Sequence, residues 1–277
     1  MCTILFGRFL LFSKFKYILI SKSIVRHLSM KIGIIGTGHI GKTLVIRLSE
    51  AGHQVKVANS RGPQSIEADL LINGAQPATT EEAVADADVV ILSIPLMRIP
   101  DIAPLIRKLP AKTIVVDTSN YYPLRDDRIE SIDEGQVESL WVTEILGRSV
   151  VKAWNAIGSH SFAEKSSPVN SVDRIAIPVA ADNEEHKEIG MMLVQQTGFD
   201  ARYSGTLAES WRQQPGSPSY CTDLTYEELG SALSMAEKKR LPKRRDISVE
   251  AISERMGDSK TNPDADYAVR LSRALFM

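Results

Sequence analysis

The chain has 277 residues, 43% hydrophobic and 24% charged, with 33 lysines and arginines against 34 acids and a formal net charge of −1. That balance excludes a nucleic-acid binder, which needs a basic face to displace counterions from phosphates, and the composition is that of a globular protein. The two cysteines, Cys2 and Cys221, build neither a disulfide scaffold nor a cysteine zinc site, so the cytoplasm is the default compartment.

Residues 1–29 read as a leader, with five cations (Arg8, Lys14, Lys16, Lys22, Arg26), no acid and short apolar runs. No run approaches the roughly 18 apolar residues of a membrane helix. Lys14 and Lys16 also interrupt the continuous apolar stretch of a secretory signal. Organelle import is one reading. The other takes Met30 as the physiological start, because the residues after it open directly into a strand. The body beyond the leader carries 28 cations against 34 acids.

Residues 31–35 form an apolar run of strand length, read as a buried parallel strand. It leads into Gly36-Thr37-Gly38-His39-Ile40-Gly41 and then a helix in which Ile40, Leu44, Val45, Leu48 and Ala51 share a face. Gly52 follows as a C-cap, and a second strand at residues 54–58 closes a βαβ unit. In such a unit Gly36 permits the tight turn, Gly38 lets backbone approach a pyrophosphate, and Gly41 lets helix meet strand. The free amides at the helix start then bind a diphosphate. A glycine turn can be purely structural, but its place between this strand and this helix points to a dinucleotide. The second strand ends in Asn59-Ser60-Arg61-Gly62, with no acid before Glu67 to take ribose hydroxyls. Arg61 and Ser60 suit the 2′-phosphate of NADP.

Thr79 and Glu82 have capping-box spacing and open a short helix to about Asp86. Strands are predicted at 88–94, ended by Pro95, then at 113–117, 150–154, 175–181 and near 199–203, with a helix over 184–196. Ser93, Ile94 and Pro95 thereby fall at a carboxyl end of the sheet. This alternation implies an α/β fold built on a doubly wound parallel sheet. The character changes at about Gly205. A polar segment ends in a proline-rich turn at 215–218, and Thr225 and Glu228 cap a helix to about Arg240. Residues 238–245 hold six cations in eight, read as a solvated loop between helices. Residues 266–276 form a last helix with Tyr267, Leu271 and Leu275 on one side. The expected organisation is a leader (1–29), a nucleotide-binding domain (30–204) and a small, mostly helical C-terminal cap (205–277) folded over the cofactor edge. The tail helices offer a face for a homodimer.

Six ordered segments carry a resemblance: residues 35–41, 59–61, 92–95, 117–123, 151–155 and 209–216. Over residues 30 to about 222 the chain resembles the NADP oxidoreductases of the coenzyme F420-dependent type, to which the electron-transfer ferrireductases are similar in their nucleotide-binding domain. The resemblance implies a Rossmann fold and hydride transfer between NADP(H) and a planar acceptor, a deazaflavin (coenzyme F420) or a flavin. It implies that Thr37, Gly38, His39 and Ile40 contact the diphosphate, that Ser60 and Arg61 hold the 2′-phosphate, and that Ser93, Ile94, Pro95, Ala153 and Asn155 surround the nicotinamide. Gly36, Gly41, Asn59 and Asn120 complete the expected cofactor-binding set. Asn155 stands where the deazaflavin enzymes tend to have histidine, and the tail is longer than theirs.

The transfer needs alignment more than an acid or base, which agrees with a sequence showing no Ser-His-Asp, Cys-His or metal constellation. Among the histidines, His39 contributes a helix start, His53 and His186 fall on solvated helix edges, His27 belongs to the leader, and His160 is the one candidate to face the nicotinamide. Tyr121, Tyr122 and Trp154 serve either the core or a stacked ring. Two other functions compete. Reduction of a small imine or oxo acid is disfavoured, because hydroxyacid dehydrogenases need a lysine and an asparagine four apart on a helix, whereas Lys165 and Asn170 are five apart with Pro168 between them. The third reading is a non-catalytic module that senses NADP(H).

Overall fold

The apolar runs assemble, in a computed structural model that describes residues 29–258 and 261–277, into one eight-stranded sheet with helices on both faces. The leader read over residues 1–29 lies, apart from Ser29, outside the described residues. Strand β1 (Lys31–Ile35) is central. It pairs in parallel with β2 (Gln54–Ala58) on one side and with β4 (Val89–Leu92) on the other. The order across the sheet is β3 (Gln76–Pro77), β2, β1, β4, β5 (Ile114–Asp117), β6 (Val151–Lys152), β7 (Ala176–Ala180) and β8 (Asp200–Gly205). β6 and β7 pair antiparallel, and the other pairings among the described strands are parallel.

The inner strands are apolar on both faces because both faces are covered. Ile32, Ile34, Ile91 and Val116 join a cluster with Leu44 and Leu48 of α1 (His39–Glu50). Ile35, Val90, Leu92 and Val115 join a second cluster, with Ile99 and Ile106 of α3 (Ile99–Ile106), which follows the short α2 (Thr80–Val84), and with Val142 and Leu146 of α4 (Glu138–Leu146). Each such side chain is worth about 1.5–3 kcal/mol when buried. A one-residue slip of any strand would exchange the two sets, so the register is strongly specified.

From β1 the chain builds toward β2 and β3, then returns to build β4, β5 and β6 on the other side. The order therefore reverses between β1 and β4, and the carboxyl ends of six parallel strands lie along one edge. Open α/β sheets bind ligands in that crevice.

Several elements differ from expectation. β4 covers four residues of the predicted 88–94, and β6 covers two of 150–154, because the backbone turns away at Trp154 with φ +56°. β3 was not anticipated, since a two-residue edge strand containing proline has no apolar signal. After α5 (Ser159–Glu164) and α6 (Glu184–Gln196), helix α7 (Tyr226–Ser234) stops well before Arg240. The basic run is not a solvated loop. It forms a short turn and then the start of α8 (Leu241–Met256), with Pro242 in the first turn where proline is tolerated. Arg245 is buried, with its guanidinium 5.3 Å from the Tyr121 ring centroid. A last helix, α9 (Ala265–Phe276), packs on α8 and α5, while α7 seals the β7–β8 end of the sheet through Leu229, Ala232 and Leu233. Among the described residues no helix is long and apolar enough to cross a membrane.

Candidate active site

The glycine turn links β1 to α1 at the reversal point. Gly36 has φ +110°, and a Cβ on it would lie 2.1 Å from the Ser93 carbonyl oxygen; one on Gly41 would lie 2.1 Å from the Gly36 oxygen. Neither position admits a side chain, which brings turn, helix and the β4 end into contact. Gly38 is exposed, and a Cβ there would meet nothing within 4 Å. The first intrahelical bond of α1 runs from the Lys42 amide to the Gly38 oxygen at 2.9 Å, so the amides of His39, Ile40 and Gly41 have no acceptor within the helix. Gly38 supplies no side-chain cap, and the first turn carries no acid. This is an open anion site with the positive end of a helix dipole behind it.

At the end of β2, Asn59 organises the next loop. Its Oδ1 accepts from the Arg61 amide (2.9 Å) and the Ser65 hydroxyl (3.0 Å), and its Nδ2 reaches Thr37 Oγ1 at 3.4 Å. Ser60 and Arg61 are exposed, and among the described residues the Arg61 guanidinium has no hydrogen-bond or ion-pair partner. The nearest acid in sequence, Glu67, is occupied by Lys42 at 2.5 Å. A free cation held beside an uncapped helix start fits the 2′-phosphate and diphosphate of NADP.

On the other side of the reversal, Ser93, Ile94 and Pro95 leave β4, with the Ser93 amide still bonded to the Ile35 oxygen at 2.8 Å. Asn120 beyond β5 and Asn155 beyond β6 clasp each other. Asn120 Nδ2 donates to the Asn155 oxygen (2.8 Å), and Asn155 Nδ2 donates to Asn120 Oδ1 (3.0 Å) and to the Gln213 oxygen (2.9 Å). Gln213 Nε2 donates back to Asn155 Oδ1 at 2.8 Å. The Asn155 carboxamide is thus fully engaged, and it is buried with Ala153; the structure brings Asn155 to Asn120 and pins the tail to the sheet through it. Trp154 turns its indole into the core, where Nε1 donates to Thr197 Oγ1, and Tyr121 is also buried. Burial of that indole offsets the roughly 1–3 kcal/mol cost of its left-handed backbone.

Beneath the edge lies a charge cluster that sequence reasoning missed. Lys152 and Asp117 are fully buried and paired at 2.6 Å; Lys152 also donates to the Ser119 oxygen, and Asp117 Oδ1 accepts the Ser119 amide at 2.9 Å. Glu138 of α4 is buried nearby. Burial pushes its carboxyl up to about 7, although Lys152 and a backbone bond from Tyr121 pull the other way. The available signal was a lysine flanked by apolar residues in one predicted strand and an aspartate ending another, since such charges are buried only when paired. Tyr220 and Gln213 were also missed.

The histidines need correction at two positions. His53 is buried, not solvated: its Nδ1 accepts from the Met30 amide (3.1 Å) and its Nε2 lies 2.8 Å from Gln196 Oε1. His186 is half-buried, and burial lowers its pKa. His39 is exposed on the first turn of α1. The His160 side chain is 41% exposed on α5, with Nδ1 3.6 Å from Glu164 Oε1.

Comparison with known proteins follows this geometry. Residues 31–121, from β1 to just beyond β5, match the family described as NADP oxidoreductase, coenzyme F420-dependent. The protein YjhV of Escherichia coli (strain K12) is 40% identical over 101 residues, which are 35% of this chain and 70% of that protein. The metalloreductase STEAP3 of Rattus norvegicus is 28% identical over 181 residues, 65% of this chain; the match spans only 35% of STEAP3. The crystal structure of a protein from Arthrobacter sp. FB24, assigned as an F420-dependent NADP reductase, shares the fold, with a TM-score of 0.53 over 85% of this chain and 99% of that one at 17% identity.

Proposed function

This chain belongs to the coenzyme F420-dependent NADP oxidoreductase family, and from that premise we propose that it passes a hydride between NADP(H) and a planar ring acceptor, a deazaflavin or a flavin. It is an NADP-dependent oxidoreductase. The observation that carries the assignment of roles is the open, uncapped start of α1 beside the unpartnered Arg61 guanidinium, both at the reversal point of the sheet.

In this reading the amides from Thr37 to Gly41 hold the diphosphate. Ser60 and Arg61 hold the 2′-phosphate, with Asn59 fixing their loop. Those groups place the adenosine half over β2, so the nicotinamide half lies toward β4, β5 and β6, where Ser93, Ile94, Pro95 and Asn120 line the edge. Bound NADPH supplies the hydride. The chain contributes alignment, through the Asn120–Asn155–Gln213 clasp that fixes the β5 and β6 ends and holds the tail across them. Alignment of this kind accounts for much of the rate in a direct hydride transfer.

The test is NADPH oxidation followed at 340 nm with coenzyme F420, FMN, FAD, a ferric chelate and a cyclic imine as separate acceptors. Turnover with a ring acceptor is the expected result. Turnover with the imine and with no ring acceptor overturns the reading.

A further inference from the structure

Tyr122 and Tyr220 meet at the nicotinamide side of the edge. Their hydroxyl oxygens are 2.7 Å apart, and Asn120 Nδ2 also donates to the Tyr220 oxygen at 3.3 Å. Tyr122 comes two residues after Asn120. Tyr220 is brought over from the tail, where the next amide, of Cys221, donates to the Ala156 oxygen at 2.8 Å. Both rings are half-buried, and the Arg125 guanidinium lies 5.3 Å from the Tyr122 ring centroid. Thus the pair is held from β5, from β6 and from the tail.

Counting protons gives the pair a property that neither residue has alone. Two hydroxyls carry two protons, and the bond between them consumes one. The Asn120 amide is a donor and cannot receive the other. No oxygen or nitrogen acceptor for it stands among the described residues; the Cys221 sulfur, to which the Tyr220 hydroxyl is hydrogen-bonded, is a weak acceptor. Whichever tyrosine donates within the pair, one O–H is left with no partner stronger than that sulfur. Burial holds both phenols above their usual range, so both stay protonated at physiological pH.

We propose that the Tyr122–Tyr220 pair donates this one hydrogen bond to a carbonyl oxygen or ring nitrogen of the hydride-accepting molecule. The inference rests on the reading that the β4–β6 side holds the reacting rings. An acceptor must then carry such an atom near the ring position that receives hydride, a carbon in a deazaflavin and a nitrogen in a flavin, and the bond strengthens as negative charge develops there. A bare metal ion offers no such atom.

The experiment titrates oxidised coenzyme F420, and separately oxidised FMN, into full-length protein saturated with NADP+, for the wild type, Tyr122→Phe, Tyr220→Phe and the double variant. Either single variant keeps one hydroxyl and its proton, so each is expected to raise the probe Kd less than about fivefold. Loss of both should raise it about tenfold, the size of one net hydrogen bond. The NADP+ affinity, measured first, is expected to stay within about twofold throughout. A second measurement needs no variant: the carbonyl stretch of bound FMN, or its ring C=N stretch where the bond goes to nitrogen, should shift in infrared difference spectra on binding to the wild type. Failure to bind NADP+ would sink the parent reading. With NADP+ binding intact, no binding of either probe would sink the ring-acceptor reading itself; with a probe bound, any of three results overturns the pair alone: a double variant that binds like the wild type, one single variant as weak as the double, or no shift in either stretch.

Discussion

Arg61 is cationic, exposed and unpaired, while the acid that might have neutralised it is tied to Lys42. A charge-assisted bond to a phosphate is worth about 1.5–3 kcal/mol, or roughly ten- to a hundredfold in affinity. Arg61→Ala should therefore weaken NADPH by that factor and leave NADH unchanged, as read by quenching of intrinsic fluorescence; equal losses for both nucleotides would place Arg61 elsewhere. Glu138 makes a different prediction. Its carboxyl sits at about 7 in the fold against an ordinary 4.5, chiefly because it is buried. Between those values the folded chain keeps a proton that the unfolded chain releases. Stability is complete below the window and falls as pH rises through it, by about 3 kcal/mol in all. Glu138→Gln removes the titration, so the urea midpoint of the variant relative to the wild type should rise from pH 5 to pH 8. A constant difference across that range would show that Glu138 is ionised throughout.

The same contrast between local and distant causes separates the elements that sequence reveals from those it hides. β1 and β2 are legible to the residue and α1 to within a turn, because strand, turn and amphipathic helix each carry their own periodicity and glycine has few alternatives at Gly36 and Gly41. The proposed phosphate-binding half of the site is a property of that one contiguous unit. The proposed nicotinamide half is not. Asn120, Asn155, Gln213 and Tyr220 lie up to 100 positions apart, and nothing local says that they meet. α8 was hidden for another reason: six cations and a proline look like a solvated loop until Tyr121, from the far side of the chain, covers Arg245. If that burial matters, Arg245→Ala should cost about 1–3 kcal/mol in urea unfolding through the lost ring contact, the lost bond to the Tyr121 oxygen and the space left behind. A cost under about 0.5 kcal/mol would mean that α8 is docked by its other contacts.

At the scale of the whole molecule, the βαβ unit and the β4–β6 edge form two walls of one crevice, with the tail held across the second wall through Gln213. A ligand that engages both walls binds the folded chain and not the unfolded one, so it raises stability by mass action. NADPH at a hundred times its Kd adds about 2.7 kcal/mol. In a chain of this size that corresponds to a rise in unfolding midpoint of roughly 5–10 °C. NADH at the same concentration, bound ten- to a hundredfold more weakly, adds only about 0.4–1.4 kcal/mol. A thermal-shift series with the two nucleotides should therefore show a gap of several degrees that closes in Arg61→Ala, because the proposed selectivity resides in one guanidinium while the proposed diphosphate cradle serves both. Equal shifts in the wild type would remove Arg61 from the selection and leave the cradle standing. No shift with either nucleotide would remove the cradle as well, since backbone amides that bind a diphosphate must stabilise the only state in which they are held together.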